Sequence, residues 1–164
     1  MDQKMNVKGR FVVEHRDCDG ELKGIYEFPN GIVDEGIEHL LDVGFHGSSA
    51  TATWYVGLVN NSGFSAFADA DTLSSHAGWS EFTSYTEANR VEWQEDAAAS
   101  RAISNSTTVD FSINASGNLK GIFVSSNNVK STGNTGVLWS TAAFSSVVAT
   151  ANGDTLKITY TISG

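Results

Sequence analysis

The stretch from Phe28 to Val59, FPNGIVDEGIEHLLDVGFHGSSATATWYVGLV, joins the one convincing helical pattern of the chain to its most apolar strand. It constrains the fold most, because both elements carry apolar surface that something else must cover. Val33, Ile37, Leu40 and Leu41 recur at helical spacing, while Glu38 and Asp42 fall elsewhere. Asn30 is placed to cap the first turn, and Asp34 and Glu35 sit near the positive end of the helix dipole. The pattern predicts one short helix over Asn30–Val43, ended by Gly44 in a left-handed C-cap with Phe45 as an apolar clamp. A helix of this length is marginal alone in water, so its apolar face is expected to dock. The run TWYVGLV has no polar alternation, as a strand covered on both faces would. Trp54–Val59 is therefore expected to be a central strand with the helix packed on it, and Gly57 to mark a bulge or a close approach. The helix then reads as a brace. Exposure of Ile37 and Leu41 would instead make it a docking element.

Most of the remaining chain reads as strand and turn. Gly9–Arg16 and Glu21–Phe28 flank the turn Asp17-Cys18-Asp19-Gly20 and predict a hairpin. Pro29 and Asn30 are expected to break its second strand. Phe64–Trp79 has no sustained period and predicts a long ordered loop with a helical turn. Glu81–Trp93 reads as strand around a bend at Glu87–Asn89, and Gln94–Ala99 as a connector. Val109, Phe111 and Ile113 alternate with polar residues, Gly121–Val124 and Val137–Phe144 are apolar runs, and Val147–Ala149 extends the latter or stands alone. Leu156, Ile158, Tyr160 and Ile162 alternate with Thr155, Lys157, Thr159 and Thr161 in the cleanest strand of the chain. The sum is a mainly β fold, a β-sandwich or jelly roll of about eight or nine strands, forming a single domain over 9–164 after a flexible N-terminal arm, 1–8.

Charge and composition exclude several classes of function. A formal net charge of −9 repels phosphate backbones and anionic lipid. The ten basic residues are scattered, so no nucleic-acid partner is expected. The single cysteine, Cys18, rules out an intrachain disulfide and a cysteine-based zinc site. No signal-like segment or membrane-length apolar run is read, and no membrane partner is expected.

Motifs for chemistry are equally sparse. Asp17–Glu21 opens like a calcium loop but lacks the downstream ligands, so it reads as a turn. There is no G-x-S-x-G, P-loop, dinucleotide fingerprint or HExxH. His39 and His46 are separated by the expected helix end at Gly44, and no metal or cofactor is assigned. Asp69, Asp71 and Glu81 are the acidic group to examine for paired-carboxylate chemistry, and they read as caps and loop carboxylates. His76 with Glu81 reads as an orienting pair rather than a catalytic dyad. Trp54, Trp79, Trp93 and Trp139 suit a core or a sugar-stacking platform, with Trp79 at the loop end the best candidate for the second. Asn60, Asn105 and Asn114 head N-x-S/T strings that read as chance matches. No enzymatic activity is expected.

One order of segments is more specific. PNGIVDEGIEHLLD, then WYVGLV, then ADTLSSHAGWSEFTSYTEANRVEW, then GIF, then GDTLKITYTIS resembles small virion structural proteins of tailed bacteriophages over Phe28–Ile162. The pattern is an N-x-[I/V]-x-x-x-G-[I/L] helix before a Y-[I/V]-G-L strand, closing on G-D-x-L-x-[I/V]-x-Y. The resemblance implies a β-sandwich or jelly-roll subunit without an active site. Its implied role is capsid decoration or cement, bridging capsid subunits, with the alternative of a tail- or surface-associated carbohydrate or receptor-binding module. The implied partners are the major capsid protein or other virion proteins in a homo-oligomer, dimer or trimer, located in a virion assembled in the host bacterial cytoplasm. Candidate partner contacts are Lys4, Asn6 and Lys8 on the arm, and His76, Trp79 and Tyr85 on and after the long loop.

Overall fold

The computed structural model describes residues 6–131 and 135–164. The described residues form ten strands and one short helix, in the order β1 (Lys8–Arg16), β2 (Leu22–Ile32), α1 (Asp34–Leu41), a π-helical turn (Asp42–His46), β3 (Trp54–Asn60), β4 (Glu81–Phe82), β5 (Val91–Trp93), β6 (Ala102–Ser104), β7 (Val109–Ser112), β8 (Gly117–Ser125), β9 (Leu138–Thr150) and β10 (Thr155–Ser163). All pairings are antiparallel, within one curled sheet of order β4-β3-β8-β9-β2-β1-β10-β6. β5 also pairs with β3, and β7 with β10. Isolated bridges Glu95↔Asn105 and Tyr85↔Ile113 bring the two ends of that order together.

Local chemistry explains β1, β2 and β10. The β1–β2 hairpin turns on Asp17, whose carboxylate accepts from the backbone N–H groups of Asp19 and Glu21, with Gly20 in the left-handed region. The alternation of β10 is realised as far as Tyr160: Leu156, Ile158 and Tyr160 are buried, Lys157 and Thr159 between them are half-buried, and Ile162 is half-buried. β10 fits between β1 on one side and β6 and β7 on the other.

Several expected boundaries move. β2 runs through Pro29 and Asn30 to Ile32, so these two residues break nothing. Pro29 lies opposite Arg10, and β2 takes up its second partner, β9, only from Gly31, so the missing N–H is tolerated where one edge is unpaired. Asn30 consequently caps no helix. α1 starts at Asp34 after Val33, with Asp34 and Glu35 in its first turn. Gly44 does not end the helix; the chain widens into the π-helical turn and stops at Gly47, which is left-handed at φ 77°. Val137–Phe144 and Val147–Ala149 belong to one strand, β9, and β6 has no counterpart among the expected strands.

Two clusters of buried side chains lie on opposite faces of β3, β8 and β9. Inside the curl, Val56, Leu58, Ile122, Val124 and Trp139 pack with Phe11, Phe111, Leu156 and Tyr160. On the outer face, Val59, Phe123 and Leu138 pack with Val33, Leu73 and Trp79, and with the half-buried Phe64 and Phe67. The unalternated run of β3 is thus covered twice, as expected. What covers its outer face is the Phe64–Trp79 loop, whereas α1 packs on β9. Gly57 marks a close approach, since a Cβ there would fall 2.2 Å from the Phe123 ring.

Candidate docking surface

The first turn of α1 is held tightly. The Val33 N–H donates to the Trp139 carbonyl at 3.2 Å, the Asp34 N–H to the Asp69 carbonyl at 2.8 Å, and the Glu35 carboxylate accepts from the N–H groups of Leu73 and Leu138 at 3.0 and 2.6 Å. Gly36 is the buried residue of the helix; a Cβ there would lie 2.4 Å from the Trp139 carbonyl oxygen. The helix therefore meets β9 with its backbone. That close approach turns the larger apolar side chains outward, and Ile37, Leu40, Leu41 and Phe45 are 36, 37, 46 and 86% exposed. The expected burial of this face is corrected: Val33 is covered, and the rest of the face is not. Phe45 does not clamp the helix end.

Ionisable groups border the apolar residues. Glu38 and Asp42 are exposed on the same two turns, and His46 ends the π-helical turn. The His39 Nε2 lies 3.0 Å from Thr51 Oγ1, and its ring meets Trp54 edge-on at 5.7 Å. Beneath Leu40 and Val43 the inner face of the curl opens into a cavity of about 220 Å³, walled chiefly by Trp54, Trp93, Val124 and Trp139.

The contacts expected from sequence are scattered. Lys4 lies outside the described residues. Asn6 is exposed ahead of β1, and Lys8 begins β1 opposite Ser163. His76 is half-buried and stacked on Trp79 at 3.9 Å, with its Nδ1 3.3 Å from the Trp79 carbonyl. Trp79 is buried in the outer cluster and donates from Nε1 to Asp71 at 2.9 Å. Tyr85 is buried in the inner cluster with Lys130 Nζ 3.9 Å from its ring centre. Burial, followed by the Glu81 carboxylate, holds the Tyr85 phenol well above its ordinary range against the opposing effect of Arg90. Neither ring offers a face to a sugar.

Of the acidic residues singled out, Asp71 and Glu81 have structural partners for their carboxylates, while Asp69 is exposed and accepts only through its backbone carbonyl. Asp71 accepts from Trp79 and from the Ala68 N–H, and Glu81 accepts two hydrogen bonds from Arg90 at 2.9 and 3.0 Å in a buried ion pair. His76 and Glu81 line one small pocket, yet each bonds elsewhere. Asn105 is buried with its amide fully used: Oδ1 accepts from Trp93 and the Tyr160 N–H, and Nδ2 donates to the carbonyls of Thr107 and Ile158. Among the described residues no three His, Cys, Asp or Glu side chains come together as metal ligands, and no helix is long and apolar enough to cross a membrane.

Two polar groupings went unread in the sequence. Tyr160 Oη accepts from Asn30 Nδ2 at 2.8 Å and Trp139 Nε1 at 2.9 Å, and lies 3.3 Å from Ser140 Oγ, tying β2, β9 and β10 together. Asp154 Oδ2 meets His15 Nε2 at 2.6 Å, Lys23 Nζ at 2.8 Å and the Ala151 N–H at 2.9 Å. Burial pushes the Asp154 carboxyl up, but the hydrogen bonds from Lys23, Ala151 and His15 outweigh it and hold the group below its ordinary value. Lone polar letters inside strands carry no signal of such partners. No protein-family model matches this chain, and no curated protein matches it.

Proposed function

We propose that this chain is a non-enzymatic virion structural protein, a capsid decoration or cement subunit that docks through the exposed face of α1 and its π-helical turn. The observation that carries the reading is Ile37, Leu40, Leu41 and Phe45 held outward on a helix whose first turn is anchored by four backbone N–H bonds. Scattered apolar residues are ordinary on protein surfaces, whereas four on one short element form the kind of patch that marks an interaction site. The resemblance to phage virion proteins supplies the partner class, the major capsid protein or a neighbouring copy. We read the curled sheet as a flattened sandwich of jelly-roll type whose halves share β2, a rigid block suited to that role. Cementing adds buried area across subunit seams, and many copies multiply a modest energy per contact. The exposed acidic residues Glu38 and Asp42 favour a partner with basic residues at the rim.

The test compares capsids assembled with wild-type protein, with Leu41→Ser/Phe45→Ser protein, and with none. Wild-type capsids are expected to resist heat and osmotic shock best, and the double variant to be depleted from purified particles. Equal resistance with and without the protein would sink the cement role. Full occupancy by the variant would sink the docking face. The carbohydrate-binding alternative rests on exposed aromatic rings, and the burial of Trp79 and Tyr85 withdraws its main support.

A further inference from the structure

We infer that the cavity of about 220 Å³ beneath the end of α1 is a binding site for a compact, uncharged aromatic or alicyclic ring. The inference does not rest on what covers the helix face, because the three indoles that carry it lie beneath that face, although Leu40 borders both. An apolar cavity of about 150 Å³ is enough to take a benzene-sized ligand, so this space holds one ring with modest substituents. Its walls include Trp54, Trp93 and Trp139 with the aliphatic Val124, Ile103 and Ile162. Three indole rings in one lining suit a flat hydrocarbon, which gains dispersion and aromatic contacts.

The polar groups decide the charge. Trp93 Nε1 donates to Asn105 and to the Tyr160 carbonyl, and Trp139 Nε1 donates to Tyr160 Oη, so neither indole has an N–H left for an occupant. His39 Nε2 is engaged with Thr51 Oγ1. Trp54 Nε1, the Thr51 hydroxyl and Glu95 remain at the lining, but its predominantly apolar walls leave most donors and acceptors of a polar ligand unmet, which penalises polar molecules. Glu95 at the lining, on a chain of net charge −9, disfavours a carboxylate or sulfonate further.

Tryptophan indole N–H resonances provide the test, with Trp79 as the internal control because it lies in the outer cluster against Phe123. Toluene added to isotopically labelled protein is expected to move the Trp54, Trp93 and Trp139 signals saturably and to leave Trp79 in place. No saturable movement up to the solubility of toluene, or equal movement of all four, would overturn the assignment. Benzoate is expected to bind about tenfold more weakly or worse, and parity would refute the charge argument. Tighter binding of tetramethylammonium would instead identify a cation cage and overturn the uncharged ring. Ala50→Trp at the exposed rim should abolish the shifts with Trp79 unmoved, and Ile103→Phe fills the same space from β6 should the first variant not fold. Wild-type toluene affinity in the folded blocked variant would place the site elsewhere and defeat the proposal.

Discussion

Replacing Tyr160 by Phe isolates the one hydroxyl on which three strands converge. The ring should stay, since it stacks on Phe11 at 4.3 Å within the inner core and phenylalanine has the same shape. What disappears is the acceptor for Asn30 Nδ2 and Trp139 Nε1. A buried donor left without a partner costs about 1–3 kcal/mol, and Asn30, being half-buried, recovers part of its share from solvent, so the total is expected near 3 kcal/mol. In a chain of 164 residues, at about 2–4 °C per kcal/mol, the melting temperature should fall by about 6–12 °C. Urea unfolding should show a lower midpoint with an unchanged slope. The substitution should also alter the alkaline limb. Burial raises the Tyr160 phenol from 10.0 to about 12, against the opposing bonds of Ser140, Trp139 and Asn30. A proton held more tightly in the folded state gives stability that is fully present below pH ~10 and is lost as pH rises through about 12. The Phe variant lacks this contribution, while Tyr85, also raised, keeps its own. Adding Asn30→Ala to Tyr160→Phe removes one orphaned donor, so the pair should cost less than the sum of the singles. A melting temperature within about one degree of wild type would refute the idea that this hydroxyl clamps the sheet.

Three other outcomes follow from the same geometry. Gly36→Ala sets a methyl against the Trp139 carbonyl, which must move, so α1 should lift from β9 at a cost of about 1–3 kcal/mol, read by chemical denaturation. Asp154 binds its proton less readily in the folded state than its ordinary value of 3.8 implies, so its contribution is present above pH ~4 and is lost as pH falls through the lower folded value. Urea midpoints across acid pH should therefore fall less steeply for Asp154→Asn than for wild type. Leu41→Ser and Phe45→Ser, on exposed positions, should leave unfolding free energy within about 0.5 kcal/mol of wild type, so any loss of particle binding would report the surface alone.

Much of the strand pattern was legible locally. The alternation of Leu156 to Ile162, the turn at Asp17–Gly20 and the doubly covered run of Val56–Val59 each follow from side chains alternating along a strand or from turn chemistry. The misreadings share a cause. Helical periodicity marks which residues form a stripe, but not whether a neighbour covers it. Pro29 likewise signals a break only if both edges of its strand need the N–H, and strand pairing decides that. Trp79 could have ended an exposed loop, and Tyr85 could have stood on a surface; the Phe64–Trp79 segment folding onto β3 and the meeting of Tyr85 with Ile113 put both inside.

By itself the sequence determined a mainly β chain with one short amphipathic helix and an acidic average charge, since these depend on residues close in the chain and on composition. Tertiary structure decided what the helix is for. Gly36, with no side chain, lets the helix backbone close on the Trp139 carbonyl more than 100 residues later, and that single approach faces Ile37, Leu40 and Leu41 outward, with the cavity beneath Leu40 and Val43. Such a contact depends on which backbone arrives from far along the chain, and no local pattern of letters encodes it.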